Sequence, residues 1–556
     1  MKEDVFATAL QAEEPTEYSP KRDHNPVVEI SHRNQLTITN LIRIARSFLR
    51  TKIDPACRAM LARGRTRLEQ KIANGETVYG VNTGFGGNSK YLIPPEQLAL
   101  HQTNLLRFLS AGTGPTLSIT IVRAAMIARA NALAQGWSGV RPIIVERLLE
   151  VLNRRITPVV LRWGSVGASG DLVPSAQIAR ALLGEGMVSY RGEIMPASEA
   201  LSQEGLAPLA LEPKEGLGLV NGTTMMTGIA AIVFEEARYL FSLSLVAIAM
   251  IAEALKSSPD YYDARIHTIK NHPGQIAVAD RLRALLEGSE LAVGLEEIRE
   301  RLAVLGSRAR DSHTVEVASE SVQSPYSLRC VPQGLGPVCE TLGQIQQTIE
   351  RELNSANDNP LVDPVSGDVL HSGNFYGAHI GRAMDGLKLD LCNIANWLHS
   401  LVGLLMDSRF SNGLPDSLSP QVGLYQGFKG LQLSHSSSVT AIRHLSGPSC
   451  IHTMPTEQFN QDVVSLGTHA AMTAFDIVEM LRDVVAMTLL AAAQAVDLRD
   501  GGNNLGHGTQ PVFRAIRRVS SFLDEDRPLD RDIAAVSALI GRREFQLAEL
   551  INPFVP

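Results

Sequence analysis

The chain has 556 residues, of which 44% are apolar and 20% charged, with a formal net charge of −7 at pH 7. This length and apolar content are sufficient for one large helical body or for two or more domains, each with a sizeable core. The acidic balance provides no basic field, so we expect no nucleic-acid partner.

The cysteines and the apolar stretches indicate the cellular compartment of the protein. Five cysteines are widely spaced and form no Cys-x-x-Cys pair. This pattern argues against a disulfide framework or a zinc site and favours a reducing, cytoplasmic setting. The N-terminus has no basic region followed by a long apolar segment, so we expect no signal peptide. The uncharged stretches Tyr239–Ala252 and Val484–Val496 are shorter than the roughly 20 residues that cross a bilayer. We therefore expect them to form buried core helices, and we expect no association with a membrane.

Taken in order, the chain changes character twice. Residues 1–33 are rich in Glu, Pro, Lys and Asp, and we expect them to form a poorly ordered tail. Residues 34–215 combine short helical patterns with Gly- and Pro-containing turns, which predicts a smaller, loop-rich N-terminal domain. Residues 216–556 carry long helical patterns with stops at 357–360 and 500–502, which predict a central and C-terminal helical-bundle domain. The predicted fold class is therefore mainly α.

Three segments of the second domain repeat apolar residues every three or four positions, which is the period of a helix with one buried face. The repeats run well beyond the usual helix length of about 11 residues, so we expect long helices. The positions are Val338, Leu342, Ile345, Ile349 and Leu353, then Met384, Leu387, Leu391, Ile394, Leu398, Val402 and Leu405, and finally Phe475, Val478, Leu481, Val485, Leu489 and Ala492.

The stretch 164–174, Gly-Ser-Val-Gly-Ala-Ser-Gly-Asp-Leu-Val-Pro, contains a tripeptide that can become an electrophile. Because glycine lacks a Cβ, the nitrogen of Gly170 can approach the carbonyl carbon of Ala168 and close a five-membered ring with loss of water. Loss of the Ser169 hydroxyl then leaves a methylene group conjugated with the ring. An isolated Ala-Ser-Gly is usually a plain turn, so this prediction depends on the motifs elsewhere in the chain.

Four other stretches belong with this loop, and each also has a simpler structural explanation. Tyr79 lies among glycines in a loop that lacks a phosphate-binding signature, so it is either an aromatic plug or a reactive group. Asn221 precedes a long helix and could be its cap. Arg329 lies in an apolar run and needs an anionic partner, either a structural carboxylate or that of a substrate. The polar cluster 456–467 could cap the helix that follows it.

With the tripeptide loop, these motifs resemble, over roughly residues 34–499, the aromatic amino acid ammonia-lyases and aminomutases, and most closely the bacterial phenylalanine ammonia-lyases. The resemblance implies the aspartase/fumarase-like long-helix bundle with a smaller N-terminal domain. It implies a homotetramer whose active sites are each shared between three subunits. It also implies a prosthetic group, MIO (4-methylidene-imidazole-5-one), formed from Ala168, Ser169 and Gly170, with no metal and no nucleotide.

The resemblance further implies roles for individual residues. Tyr79 matches the catalytic base and Tyr326 a second active-site tyrosine. The residues implied to bind the substrate or the prosthetic group are Asn221, Gln323 and Gln461 as polar contacts, Arg329 as the clamp on the substrate carboxylate, Phe375 as an aromatic neighbour of the prosthetic loop and Glu457 as a carboxylate near the substrate amine. Because a tyrosine with its ordinary pKa near 10 is a poor base at neutral pH, we expect neighbouring donors or positive charge to lower the pKa of Tyr79.

The pair Phe108-Leu109 is implied to contact the substrate side chain. Its apolar surface suits an unsubstituted phenyl ring, because a buried tyrosine hydroxyl would lack a partner at a cost of about 1–3 kcal/mol. Both residues could also be ordinary core. Two departures from the family pattern, Ser175 after the Asp-Leu-x-Pro string and His101 before the Gln-x-Asn-Leu string, touch no implied catalytic role.

These observations predict a carbon–nitrogen lyase that acts on a small-molecule aromatic amino acid and converts L-phenylalanine into trans-cinnamate and ammonia. A phenylalanine 2,3-aminomutase, which retains cinnamate and returns the amine to the β-carbon, is an alternative that no single residue separates from it. A tyrosine or histidine ammonia-lyase is a further alternative. The alternative in which the protein is not an enzyme is an inactive scaffold homologue. This hypothesis would need Ser169 to stay uncyclised or Tyr79 to be lost, and both residues are present.

Overall fold

The structure is a computed structural model, and it describes residues 27–32, 34–318 and 321–545. Long helices dominate the described chain, which confirms the predicted mainly α fold class. Most of the predicted tail, residues 1–26 and 33, lies outside the described residues.

The described chain consists mainly of α-helices, with short strands between some of them. In chain order the α-helices are α1 Ile38–Ser47, α2 Pro55–Ala73, α3 Leu98–Phe108, α4 Ile119–Ala134, α5 Pro142–Asn153, α6 Leu172–Leu182, α7 Ala197–Gln203, α8 Glu215–Val220, α9 Thr224–Ala254, α10 Ala264–Lys270, α11 Pro273–Leu286, α12 Leu295–Ser312, α13 Tyr326–Arg329, α14 Val331–Leu353, α15 Ala378–Met406, α16 Lys429–Leu445, α17 Gly467–Asp497, α18 Gln510–Arg517 and α19 Asp530–Gly541. The strands are β1 Val28–Ile30, β2 Thr51–Ile53, β3 Thr113–Thr116, β4 Thr157–Pro158, β5 Leu161–Trp163, β6 Met187–Tyr190, β7 Glu193–Pro196, β8 Leu361–Val362 and β9 Val369–Leu370.

The chain divides into two compact units. Unit 1 comprises the described part of Met1–Glu235 together with Ile345–Asp385 and Pro448–Met472. Unit 2 comprises Glu236–Gln344, Gly386–Gly447 and the described part of 473–556. This division differs from the boundary predicted at 215/216, because the chain returns twice to unit 1 after leaving it.

Unit 1 contains the small sheets. β1 pairs in parallel with β2, β3 with β5, β6 with both β4 and β7, and β8 with β9, the last three sheets being antiparallel. The strand β1 falls inside the range 1–33 that was predicted to be a disordered tail, so the prediction is wrong for that segment. The reason is that Ile30 is buried and the backbone of β1 hydrogen-bonds to β2 in register. Strands of two to four residues are too short to show alternation in a sequence.

Helix α4 forms the centre of unit 1. From Ile121 to Ala134 every residue of this helix is buried. Alanine recurs through the segment, and because its side chain is small, neighbouring elements can approach the helix from all sides. The same segment carries two arginines, Arg123 and Arg129, whose guanidinium groups must find partners inside the protein.

The long helices confirm the periodic patterns. Each predicted apolar position in α14 and α15 is buried, and so is each one in α17 except Phe475, which is half-buried. The stops at 357–360 and 500–502 lie four and three residues after the last residues of α14 and α17.

Two helices, α9 and α15, are long and apolar enough to cross a membrane by length and composition alone. In α9, 94% of the most apolar window is buried inside the protein, as is typical of a core helix. The corresponding share in α15 is 44%, and this helix carries Arg382, Asp385, Lys388 and Asp390 within its length. Charges at this density are costly in a lipid environment.

Candidate active site

A cavity of about 520 Å³ lies in unit 1 and gathers most of the predicted site residues. Those that line it are Tyr79, Phe108, Leu109, Ala168, Ser169, Asn221, Phe375, Glu457 and Gln461. Gly170 is buried beside Ser169 and does not reach the cavity. In the part of the chain that the structure describes, no three His, Cys, Asp or Glu side chains are grouped as metal ligands.

The tripeptide is held through Ser169. The side-chain amide of Asn221 donates to the carbonyl oxygen of Ser169 at 2.9 Å, and the backbone nitrogen of Gly222 donates to the same oxygen at 3.2 Å. The amide of Gln461 donates to the hydroxyl oxygen of Ser169 at 2.9 Å. Asn221 therefore does not cap the helix that follows it, which was the simpler explanation of its position. Two donors on one carbonyl oxygen also withdraw electron density from that group.

The backbone at Gly170 requires glycine for two reasons. Its φ is +73°, in the left-handed region that side chains disfavour. A Cβ at Gly170 would lie 2.7 Å from the Cα of Gly222, closer than real contacts allow. Among the described residues, neither the amide nitrogen of Gly170 nor the carbonyl oxygen of Ala168 makes a hydrogen bond, although their neighbours do. The two groups that would join in the predicted ring are thus free, so the loop fits the closure.

Asp171 anchors the far side of the loop. It is fully buried, and its carboxylate accepts hydrogen bonds from Met226 N at 2.8 Å, from Ser165 Oγ at 3.0 Å and from Thr468 Oγ1. Its backbone nitrogen donates to the carbonyl of Gly222 at 2.9 Å. Burial raises the pKa of Asp171, and these three donors oppose that rise. The loop is therefore held on both sides of Gly170, at Ser169 and at Asp171.

Tyr79 lies in the glycine loop between α2 and α3, and its hydroxyl oxygen accepts a hydrogen bond from Gly86 N at 2.8 Å. Burial raises the pKa of Tyr79 above its ordinary value, the Gly86 donor lowers it, and the carboxylate of Glu457 adds a further rise. No Lys or Arg lines the cavity in the described chain. The Gly86 donor acts in the expected direction, but in the single chain burial and the carboxylate of Glu457 leave the pKa of Tyr79 raised rather than lowered.

Glu457 is presented by an unusual turn. Glu457, Gln458 and Phe459 have φ values of 43°, 57° and 63°, so three consecutive side-chain-bearing residues adopt the left-handed region. Thr456 and Gln461 close the turn, because Thr456 N donates to the carbonyl of Gln461 at 2.8 Å. The cavity wall removes part of the hydration of Glu457 and raises the pKa of its carboxyl group. Backbone strain of this kind is often found at functional sites.

The apolar wall comes from the end of α3. Phe108 is its last residue and Leu109 its C-cap, and they face the cavity together with Leu105. Leu109 is buried, whereas Phe108 is 58% exposed in the single chain. On the same face of α3, His101 stacks on Phe85 with ring centroids 4.1 Å apart. A second cavity of about 600 Å³ is also lined by Leu105 and Phe108.

Besides Gly170, three predicted site residues do not line the cavity. Gln323, Tyr326 and Arg329 belong to unit 2, where Tyr326 is 71% exposed. The guanidinium of Arg329 lies over the ring of Tyr326 at 4.5 Å, and its Nε donates to the carbonyl of Ser324 at 3.1 Å. Within the described ranges, no carboxylate forms an ion pair with Arg329. The structural-carboxylate explanation of this arginine is therefore not supported.

Several lining residues were not predicted from the sequence. They include Phe85, Asn359, His371, Ser372, Tyr376 and Asn460. Asn359 N donates to Oδ1 of Asn221 at 2.6 Å and so orients that side chain, although in the sequence Asn359 indicated only a helix stop. His371 accepts from Tyr79 N at 3.4 Å. The one signal available was position in the sequence, because Phe85 and Tyr376 lie next to segments already singled out and Asn460 lies within the polar cluster 456–467.

The chain is similar in sequence and in structure to known lyases and aminomutases. The sequence profile of the family described as "Aromatic amino acid lyase" matches residues 36–518. The chain is 40% identical to the histidine ammonia-lyase of Geobacillus thermodenitrificans over 92% of this chain and 96% of that protein. It is 38% identical to the tyrosine ammonia-lyase of Cupriavidus metallidurans, over 93% and 97%. Among solved structures, the phenylalanine aminomutase of Pantoea agglomerans superimposes with a TM-score of 0.89 at 32% identity, covering 92% of this chain and 98% of that one.

Proposed function

Because the chain belongs to the aromatic amino acid lyase family, we propose that it eliminates ammonia from L-phenylalanine to give trans-cinnamate. The observation that carries the choice of substrate is the apolar wall formed by Phe108 and Leu109 in the cavity that also holds Tyr79 and Ser169. An unsubstituted phenyl ring leaves no polar atom unpaired against this wall, whereas an imidazole leaves two nitrogens without partners.

The proposed prosthetic group is MIO, formed from Ala168, Ser169 and Gly170. Support comes from the free nitrogen of Gly170, the free carbonyl of Ala168 and the close approach of the Gly170 and Gly222 backbones. Once formed, the group supplies an electrophile for the amine of the substrate. Asn221 and Gly222 N would hold its ring oxygen through the contacts that they now make to Ser169.

In this proposal Tyr79 removes a proton from the β-carbon of the substrate, and its hydroxyl is fixed by Gly86 N for that purpose. Glu457 lies against the same loop and faces the substrate amine. Arg329 binds the substrate carboxylate through its planar fork, which is well matched to two carboxylate oxygens. Since Arg329 does not line the cavity of its own chain, we propose that another subunit of a homotetramer supplies it, together with Tyr326 and Gln323.

A second candidate is a phenylalanine 2,3-aminomutase. The Pantoea agglomerans aminomutase favours it, since that protein shares the fold over nearly the whole chain. The two reactions differ in whether cinnamate leaves or is held for return of the amine, which depends on how the loops over the site move. L-Histidine and L-tyrosine remain alternative substrates, because relatives of this chain are named histidine ammonia-lyase and tyrosine ammonia-lyase. The inactive-scaffold alternative is disfavoured, because Ser169 and Tyr79 both line the cavity.

Two measurements test the proposal. The intact mass of the purified protein should be lower than the sequence mass by two waters, and the Ser169→Ala variant should have its full sequence mass. Incubation with L-phenylalanine should release cinnamate, with kcat/KM higher than for L-tyrosine or L-histidine. Accumulation of β-phenylalanine would support the aminomutase, and a full-mass wild-type protein would overturn the prosthetic group.

A further inference from the structure

Arg129 is a buried cation that the proposed reaction does not use. It lies on α4, is 3% exposed, and donates from Nη1 to the carbonyl of Asn221 at 2.8 Å and more weakly to that of Gly218 at 3.4 Å. Its Nε and Nη2 have no hydrogen-bond partner within the described residues. Keeping such a group charged in the interior is costly, so its position calls for a physical explanation.

The guanidinium of Arg129 supports the segment that holds the tripeptide. Asn221, whose carbonyl it binds, is the residue whose side chain donates to the Ser169 carbonyl. A Cβ at Gly222 would lie 3.0 Å from Nη1 of Arg129, so the guanidinium packs directly on the backbone of Gly222. Gly222 N is the second donor to the same oxygen. One cation therefore contacts both residues that fix Ser169.

Buried groups of both charges lie near Arg129. Lys214 and Asp358 form a fully buried ion pair at 2.7 Å. The buried carboxylate of Asp171 interacts electrostatically with Arg129, as does that of Asp358. Burial lowers the pKa of Arg129 to about 10, so the group remains cationic at neutral pH. Without it, Asp171 would be a buried carboxylate lacking a compensating charge, and Asp171 N anchors the loop to Gly222.

We propose that Arg129 is a positioning residue for the self-processing of Ala168-Ser169-Gly170. The inference rests on the prosthetic group in the proposed function. By fixing Asn221 and Gly222, Arg129 holds the Ser169 carbonyl still while the Gly170 nitrogen reaches the Ala168 carbonyl carbon. Small displacements of reacting groups can slow such a step by about 100-fold.

The step balances without any co-reactant. A bond forms between Gly170 N and the carbonyl carbon of Ala168, and the carbonyl oxygen leaves as water with the amide hydrogens of Gly170 and Ser169. A C=N bond then joins the Ala168 carbon to Ser169 N. Loss of the Ser169 hydroxyl and its Cα hydrogen as a second water forms the methylene group.

Arg123 provides a matched control. It lies six residues earlier on α4, is 1% exposed, and donates to the carbonyls of Ile44, Ala45 and Leu152. Its loss should therefore destabilise the fold about as much as loss of Arg129. Its hydrogen bonds in the described chain do not reach Asn221 or Gly222, so self-processing should not depend on it.

The experiment compares Arg129→Lys and Arg129→Gln with Arg123→Lys and Arg123→Gln. The folded, soluble fraction of each is isolated, its thermal unfolding is recorded, and its intact mass is measured at a fixed time after synthesis. We expect the fraction of chains lacking two waters to fall by about 10-fold or more in the Arg129 variants. Both Arg123 variants should stay near the wild-type fraction. If the lysine variant fails to fold, the glutamine variant, whose side chain is uncharged and shorter than that of arginine, carries the test.

Each outcome has one meaning. Folded Arg129 variants that process like the wild type overturn the inference, as do equal losses in the Arg123 and Arg129 variants. A wild type of full mass overturns both this inference and the proposed prosthetic group. A wild type that lacks two waters but does not convert L-phenylalanine overturns the proposed substrate alone, and the comparison of processed fractions still decides the role of Arg129.

Discussion

At the scale of the single residue, both the carbonyl oxygen and the hydroxyl of Ser169 are hydrogen-bonded. Asn221 and Gly222 bind its carbonyl oxygen, and Gln461 binds its hydroxyl. Such an arrangement fixes the orientation of a small group far better than one contact would, because rotation about any bond breaks at least one hydrogen bond. The proposed electrophile would thus form in a fixed place relative to Tyr79.

The first prediction concerns the base. Tyr79→Phe removes the hydroxyl and keeps the ring that lines the cavity, so the fold and the loss of two waters should be unchanged. We expect kcat/KM for L-phenylalanine to fall by at least about 100-fold, since general-base catalysis contributes 10²–10⁴. Steady-state kinetics together with intact mass check this. Activity within a few-fold of the wild type would exclude Tyr79 as the base.

The second prediction concerns the ring pocket. Phe108→His introduces a hydrogen-bond partner for a phenolic hydroxyl and should shift the ratio of kcat/KM values toward L-tyrosine. The wild type should discriminate only weakly against L-tyrosine, by about 100-fold at most, because an apolar pocket rejects an added hydroxyl poorly. Kinetics with both substrates in the two proteins provide the ratio. Unchanged ratios, or a wild type that already prefers tyrosine, would show that Phe108 does not select the ring.

At the scale of elements, buried helices carry polar groups that the core must neutralise. α4 does so by giving each arginine backbone carbonyls. α16 carries the fully buried His435, and both of its ring nitrogens have hydrogen-bond partners inside the protein. Thr488 Oγ1 donates to the carbonyl of Val484, so it accepts from Nε2 of His435 at 3.1 Å. Nδ1 of His435 then accepts from the stacked His399. This chain of hydrogen bonds requires an uncharged His435.

The third prediction follows from that requirement. Burial and, to a smaller extent, His399 lower the pKa of His435 to about 3. Below its unfolded pKa of about 6.5, the unfolded chain therefore binds a proton that the folded chain does not. The stabilising contribution is therefore complete above pH 6.5 and is lost as pH falls, by about 1.4 kcal/mol per pH unit. His435→Gln should show a smaller decrease in Tm than the wild type between pH 7.5 and pH 5.

The control for this prediction is His444→Gln, on the same helix. His444 is exposed, so its substitution should leave the acid sensitivity of the wild type unchanged. Thermal unfolding of the three proteins at several pH values provides the comparison. If His435→Gln and the wild type lose Tm equally on acidification, His435 does not control this part of the pH dependence.

At the scale of the whole molecule, the cavity of one chain lacks a cation. The cavity wall has Glu457 and Asp462 but no Lys or Arg among the described residues. A carboxylate substrate needs a positive partner there, and Tyr79 needs one to act as a base at neutral pH. The proposed Arg329 of a neighbouring subunit would meet both needs.

The fourth prediction tests this sharing by complementation. Chains with Tyr79→Phe and chains with Arg329→Ala should each be nearly inactive alone. If a site takes Tyr79 from one chain and Arg329 from another, random mixed tetramers made by co-expression should regain about a quarter of the wild-type activity. Activity per site in the separated and co-expressed proteins is the measurement. Co-expressed tetramers with no gain would place both residues in sites built from one chain.

The sequence by itself determined the long helices and the reactive tripeptide. A buried helix face repeats every three or four residues, so α14, α15 and α17 could be predicted from local spacing. The chemistry proposed for Ala168-Ser169-Gly170 could likewise be predicted from the sequence, because glycine permits the approach and because the motifs elsewhere in the chain accompany the tripeptide.

Only the tertiary structure decided which distant residues meet at that tripeptide. Gln461 is 292 positions from Ser169, and Asn359 is 138 positions from the Asn221 side chain that it orients. No local pattern encodes such contacts, since they depend on how the chain returns to unit 1 after leaving it. The rise in the pKa of Tyr79 in the single chain could not be predicted from the sequence for the same reason. Its sign depends on burial and on Glu457, which folding brings beside a residue 378 positions earlier in the chain.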